Sequence, residues 1–183
     1  MGIYTLKYKL TEQEYYNYNY FTAWSAPFKK RYRIKYYLRV LVLYAAVAGL
    51  YIFSKSDHNT WIDLTIFCGI GLVYILMVPY LIKRSVRSRV RDILSKPENA
   101  HILSESEITL MNNGIIDKDA VSESKYDWDA IVKKSETTDS YYLYTNSYHA
   151  IVIPKRIVNT RQEKEELERY FNEYLPLGSE ISS

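Results

Sequence analysis

The chain has one cysteine, Cys68, so no disulfide framework and no thiolate cluster can be built from it alone. Its three histidines, His58, His101 and His149, have no second ligand at metal-binding spacing, and no metal site is expected. The six glycines form no phosphate-cradling loop. No serine or cysteine sits in a nucleophile elbow. Asp127 and Asp129 would share a strand face, and such alternating charge is expected on a solvated surface before it is expected in acid–base work. No catalytic residue and no cofactor can be assigned, and a non-enzymatic protein is expected.

Charge is missing from two stretches, residues 40–53 and 64–82. The second has about 19 uncharged residues, long enough as a helix to cross a hydrocarbon core of about 30 Å. The first is shorter and spans if Arg39 and Lys55 bend their charged tips toward the headgroups. Tyr36, Tyr37, Tyr51, Trp61 and Tyr80 stand near the run ends, where amphipathic aromatics suit the interface. A short connection makes the two helices antiparallel neighbours. The reading is a transmembrane hairpin, with Ala45, Gly49, Gly69 and Gly71 as candidate small residues for close helix packing. Pro79 is expected to kink or end the second helix. Asp63 is expected to be interfacial, solvated or paired with Lys55.

Both outer flanks of the hairpin are basic: Lys29, Lys30, Arg31, Arg33, Lys35 and Arg39 before it, Lys83, Arg84, Arg87, Arg89 and Arg91 after it. The connection has only Lys55, offset by Asp57 and Asp63. The positive-inside rule then places both termini in the cytoplasm. The net charge of +3 hides an asymmetry, because residues 92–183 carry 17 acidic and 10 basic side chains, a net of −7. The basic residues thus mark a membrane surface, and no nucleic-acid partner is expected.

The polar remainder reads as short elements. Residues 3–10 alternate, with Tyr4, Leu6, Tyr8 and Leu10 on one face of a strand. Thr11 and Glu14 have capping-box spacing, opening an aromatic helix that Pro27 ends. That helix is expected either on the inner membrane face or against the C-terminal domain. Beyond Pro97 come strands at 100–106 and 107–111, then the Asn112-Asn113-Gly114 turn, whose residues tolerate positive φ. Residues 124–135 alternate, with Tyr126, Trp128, Ala130 and Val132 facing one way. Two more β-rich runs follow, at 141–145 and 150–153. Thr160 and Glu163 form a second capping box, and Leu167, Tyr170, Phe171, Tyr174 and Leu175 make one apolar helical stripe. The fold class is α+β: residues 1–35 an N-terminal strand and aromatic helix, 36–95 the hairpin, and 96–183 a cytoplasmic small barrel or sandwich of about six strands closed by a C-terminal helix. Lys155 and Arg156, just before that helix, are a candidate anion or partner contact, with a solvated strand end as the alternative.

The run Tyr126-Asp127-Trp128-Asp129-Ala130-Ile131, followed by Tyr141-Tyr142-Leu143-Tyr144 and by Ala150-Ile151-Val152-Ile153-Pro154-Lys155-Arg156, resembles the YcxB-like family of bacterial membrane proteins. The layout of strand, aromatic helix, two spans and β domain resembles it too. The resemblance implies a C-terminal domain similar to bacterial pleckstrin-homology-like domains, residence in the bacterial inner membrane, and no transferable catalytic residue. The expected role is a membrane-anchored module whose cytoplasmic domain binds a protein partner or modulates a membrane component. The alternative is an immunity protein acting against a secreted toxin. A membrane enzyme would need polar groups such as His149, Lys155 and Arg156 to converge at the inner surface.

Overall fold

The computed structural model describes residues 3–54 and 60–175. Strand β1 (Tyr4–Lys9) is followed by helix α1 (Glu12–Tyr20), a π-helical turn (Phe21–Ser25) and a 3-10 turn (Pro27–Lys29). Two long helices come next, α2 (Lys30–Ser54) and α3 (Thr60–Leu94). Six strands follow: β2 (Glu105–Met111), β3 (Gly114–Lys118), β4 (Glu123–Tyr126), β5 (Lys133–Glu136), β6 (Ser140–Tyr144) and β7 (Ala150–Pro154). Helix α4 (Arg161–Tyr174) closes the described chain.

The architecture is α+β, with two small antiparallel sheets ordered β1-β2-β3-β4 and β5-β6-β7. Strand β1 lies beside β2 in register from Tyr4↔Leu110 to Lys9↔Glu105. The sheet therefore joins residues on either side of the two long helices. The N-terminal strand, grouped by sequence with the aromatic helix, is structurally part of the β domain. The alternation of residues 4–9 explains why: Leu6 and Tyr8 are buried while Thr5, Lys7 and Lys9 face solvent. Leu6, Tyr8, Ile108, Leu110 and Ile115 from one sheet meet Tyr141, Leu143, Ile151 and Ile153 from the other. Helix α4 adds Leu167, Tyr170, Phe171 and the adjoining Leu175 to this core, as its apolar stripe requires. Both capping boxes form, at Thr11–Glu14 and Thr160–Glu163.

Two strand assignments change. The expected strand at 100–106 is instead mostly a 3-10 segment, Pro97–Leu103, with β2 starting at Glu105. The alternation over 124–135 is broken by a 3-10 turn at Trp128–Ala130. That turn drives Trp128 and Ile131 inward and leaves Ala130 and Val132 exposed. The indole supplies the reason, since it stacks on Tyr174 and its Nε1 donates to the Met111 carbonyl.

The Asn112-Asn113 turn connects β2 to β3, but neither asparagine has positive φ. The glycine is required one step later. Gly114 has φ +152°, and a Cβ there would lie 2.2 Å from the Tyr126 carbonyl oxygen. That oxygen is backbone, not the movable end of a flexible side chain. Gly114→Ala is expected to destabilise the protein by about 2–3 kcal/mol. A thermal midpoint unchanged from wild type would contradict this close approach.

Helices α2 and α3, of 25 and 35 residues, are long and apolar enough to cross a membrane. Leu43, Val47, Leu50, Leu72 and Leu76 project from them uncovered. Pro79 does not end α3, which continues to Leu94. The contact between the helices is aromatic. Tyr44 Oη donates to the Phe67 carbonyl at 2.9 Å, and the Tyr36 and Tyr74 hydroxyls lie 3.1 Å apart. Of the expected small residues only Gly71 meets the opposite helix, where a Cβ would stand 3.3 Å from the Tyr44 ring. A Cβ at Gly49 or Gly69 would meet nothing within 4 Å, and Ala45 is exposed. Bulky tyrosines spanning the gap remove the need for close backbone approach at those three positions. Residues 55–59 lie outside the described chain, so the Lys55 partner expected for Asp63 does too.

Candidate functional site

Twenty tyrosines are the chain's compositional signature, and many of them build one joint. Helix α1 is wedged between the β domain and the C-terminal half of α3. Toward the β domain, Tyr18 and Phe21 lean on Tyr142, with ring centroids 5.6 and 5.1 Å apart. Tyr18 Oη donates to the Tyr148 carbonyl at 2.6 Å and accepts from the Ala150 amide at 3.1 Å. Thr22 and Tyr144 share a buried hydroxyl contact of 2.7 Å. Toward α3, Arg87 lies 4.9 Å from the Tyr16 ring and Lys83 5.6 Å from the Tyr20 ring. Of the two placements the sequence left open for this helix, the structure has it against the β domain.

Six of the eleven basic flank residues fall into two groups by what they touch. Lys83 and Arg87 clamp α1 through cation–π contacts. Arg33 serves the joint as well, donating to the Trp24 and Ala26 carbonyls at the bend before α2. Lys29, Arg31 and Lys35 do something else. They line a recess of about 540 Å³ between the start of α2 and the β domain, where Lys133 meets them from β5. Phe28, Tyr32 and Tyr144 give it aromatic walls, and Asn146 of the β6–β7 turn adds an amide. Among the described residues no carboxylate lines it. The Lys133 ammonium sits 3.4 Å from the Phe28 ring centroid, which holds the amine at the mouth. Four cations converge here, and Lys29, Arg31 and Lys35 have no carboxylate partner among the described residues, which makes the recess electropositive against a domain that is otherwise acidic. Sequence reasoning named three of the four as flank residues. It missed Lys133, because only the fold brings β5 beside α2.

Lys155 and Arg156 fare differently. Lys155 Nζ is 2.6 Å from Glu136 Oε1. Arg156 Nε is 2.6 Å from Glu14 Oε1, and Nη2 reaches both Glu14 Oε2 at 3.0 Å and the Lys9 carbonyl at 2.6 Å. Both charges are therefore met by carboxylates within the chain. Arg156 ties the β7–α4 corner to the first turn of α1. Burial would raise the Glu14 carboxyl, but bonds from Arg156 and Thr11 outweigh it and hold the group below its ordinary 4.5. A depressed carboxylate contributes stability above its unfolded value and loses it as pH falls through the folded one. Glu14→Gln should thus cost about 1 kcal/mol at neutral pH and nothing well below pH ~4. Melting curves of both proteins across that range check it, and a gap that widens on acidification would contradict it.

A second recess, of about 420 Å³, gathers His101, His149, Asp117, Asp119, Tyr8 and Tyr18 at the edge of the β domain. Burial and the neighbouring Asp119 push the Asp117 carboxyl up, partly offset by His149. The histidines already hold local partners, His101 with the Glu98 carbonyl and His149 with Thr145. Among the described residues no three His, Cys, Asp or Glu side chains are placed to hold a metal ion.

Comparison with known proteins gives one family. The model of the YcxB-like protein family matches residues 110–171, from the end of β2 into α4. The resemblance read from the tyrosine-rich strands is borne out over that segment. No curated protein and no solved structure matches the chain.

Proposed function

Starting from a chain whose residues 110–171 are YcxB-like, we propose a non-enzymatic module anchored in the bacterial inner membrane. Helices α2 and α3 cross the bilayer, and both termini lie in the cytoplasm. The β domain stands at the inner surface, where it binds a further component of the membrane or a protein held there. The observation that carries this reading is the uncovered apolar surface of two antiparallel helices whose basic ends adjoin the β domain. In water such a surface would drive association; in lipid it needs no cover. The 4+3 sheets with a closing C-terminal helix support a pleckstrin-homology-like layout whose β1–β2 connection has been replaced by the membrane hairpin.

Cysteine accessibility in intact cells tests the topology. In a Cys68→Ser background, Asn59→Cys should react with an impermeant maleimide and Val121→Cys only after lysis. Reaction of Val121→Cys from outside would overturn the orientation. Release of the protein by alkaline carbonate would overturn the anchor.

A further inference from the structure

The charges of the β domain are largely matched internally. Lys7, Lys125, Lys155, Arg156, Arg161, Lys164 and Arg169 each face a carboxylate at 2.6–3.8 Å. Lys29, Arg31 and Lys35 are not so matched: among the described residues no carboxylate pairs with them. They converge with Lys133 on the α2–β5 recess, whose volume of about 540 Å³ falls in the range of small-molecule sites. Its donors are of mixed kind. Three ammonium groups supply point charge, a guanidinium supplies a planar fork, and the Asn146 amide supplies neutral polarity. That set matches a tetrahedral oxyanion.

The position along α2 narrows the source. Lys35 lies five residues, or about 7.5 Å of helix rise, before residue 40, where the apolar run begins. On the reading that α2 crosses the membrane, the recess opens at the depth of the phospholipid phosphates. Its Tyr32 wall is an amphipathic aromatic of the kind found at that interface, and Phe28 adds an apolar one. We propose that the recess formed by Lys29, Arg31, Lys35 and Lys133 binds a phosphate anion, supplied by the headgroup of an anionic phospholipid of the inner leaflet. The lipid then bridges α2 and β5, fixing the β domain against the bilayer although the domain's net charge of −7 (residues 92–183) opposes approach to an anionic surface.

The experiment uses the full chain in a neutral detergent, with bound lipid counted by native mass spectrometry. Phosphatidylglycerol and phosphatidylcholine are titrated in parallel, and inorganic phosphate is titrated separately. The variant Lys29→Gln/Arg31→Gln/Lys35→Gln removes three charges from the recess. Arg84→Gln/Arg89→Gln/Arg91→Gln removes three from the opposite flank. Phosphatidylglycerol should be retained by wild type and by the second variant, and bound at least about tenfold more weakly by the first. Lys133→Gln, on a different element, should weaken it in the same direction.

Equal losses in the two triple variants would mean diffuse surface charge and overturn the site. So would equal retention of phosphatidylcholine. If inorganic phosphate binds wild type but not the recess variant and displaces the lipid, the recess reads phosphate from either source. If it does not bind while phosphatidylglycerol does, the lipid is the source. Binding of neither overturns the proposal. Circular dichroism melting of each variant, expected to match wild type, separates lost binding from lost folding. Failure of the membrane reading would show instead as release by carbonate, and the phosphate titration would still report on the recess.

Discussion

Residues 96–183 expressed alone are expected not to fold, although they contain six of the seven strands and helix α4. Their missing piece is β1, which precedes them in sequence by about the length of the helical hairpin. Without it the edge of β2 loses its partner from Glu105 to Leu110. The core loses Leu6 and Tyr8, both only 7% exposed. Removing two such side chains costs roughly 5–8 kcal/mol, comparable to the whole stability of a small domain. The loss also cuts a bond between the sheets, because Tyr8 Oη donates to the Val152 carbonyl of β7. An unpaired, apolar-faced edge strand would then recruit other copies. The expected result is a fragment without a cooperative thermal transition, prone to aggregate. A companion chain separates this cause from general fragility. Lys9 and Glu105 are paired neighbours in the ladder, so residues 3–9 joined to 105–175 through a two-residue Asn-Gly turn make a hairpin where the helices now sit. That chain should regain a cooperative transition. If the fragment 96–183 melts as cooperatively as the joined chain, β1 is dispensable and the domain boundary read from the sequence was right.

This result bears on what the residues declare locally and what they do not. Both capping boxes, the long apolar helices and the stripe of α4 depend on contacts within a few residues, and each was legible from spacing. The alternation of residues 4–9 announced a strand but not its partner. Pairing across the inserted hairpin depends on the register of Leu6 and Tyr8 with Ile108 and Ser106, a non-local fact. The same holds at the recess. Lys29, Arg31 and Lys35 carry a charge signal readable along the chain, whereas Lys133 sits in a mixed-charge strand and acquires meaning only from its place beside Phe28. Lys155 and Arg156 show the same limit from the other side. Their adjacency to a helix start left an anion contact or a solvated strand end open, and only the fold reveals that Glu136 and Glu14 reach them. The break at Trp128 has a third cause: a buried indole with a hydrogen bond to satisfy outweighs the period-2 pattern around it.

That indole carries the second large expectation. Trp128 lies nearly parallel to Tyr174, at 5.4 Å and 14°, and to Tyr170, at 6.4 Å and 21°. Its Nε1 donates to the Met111 carbonyl at 2.8 Å, which pins the irregular β4–β5 connection to the end of β2. Trp128→Ala deletes the ring between the sheet and α4 and should cost about 3–5 kcal/mol. For a β domain of this size that is a fall in melting temperature on the order of 15 °C or more. Trp128→Phe divides the contribution in two. A phenyl ring keeps most of the stacking but cannot donate, so its cost should be about 1–2 kcal/mol, largely from the lost bond and the smaller ring. The order Ala far below Phe, with Phe below wild type, is the expected result in thermal denaturation of the full chain. Equal destabilisation by both substitutions would show that the Met111 bond, not the stack, holds the turn in place. Near-wild-type melting of Trp128→Ala would show that α4 closes the core without it, against the burial and geometry at this position.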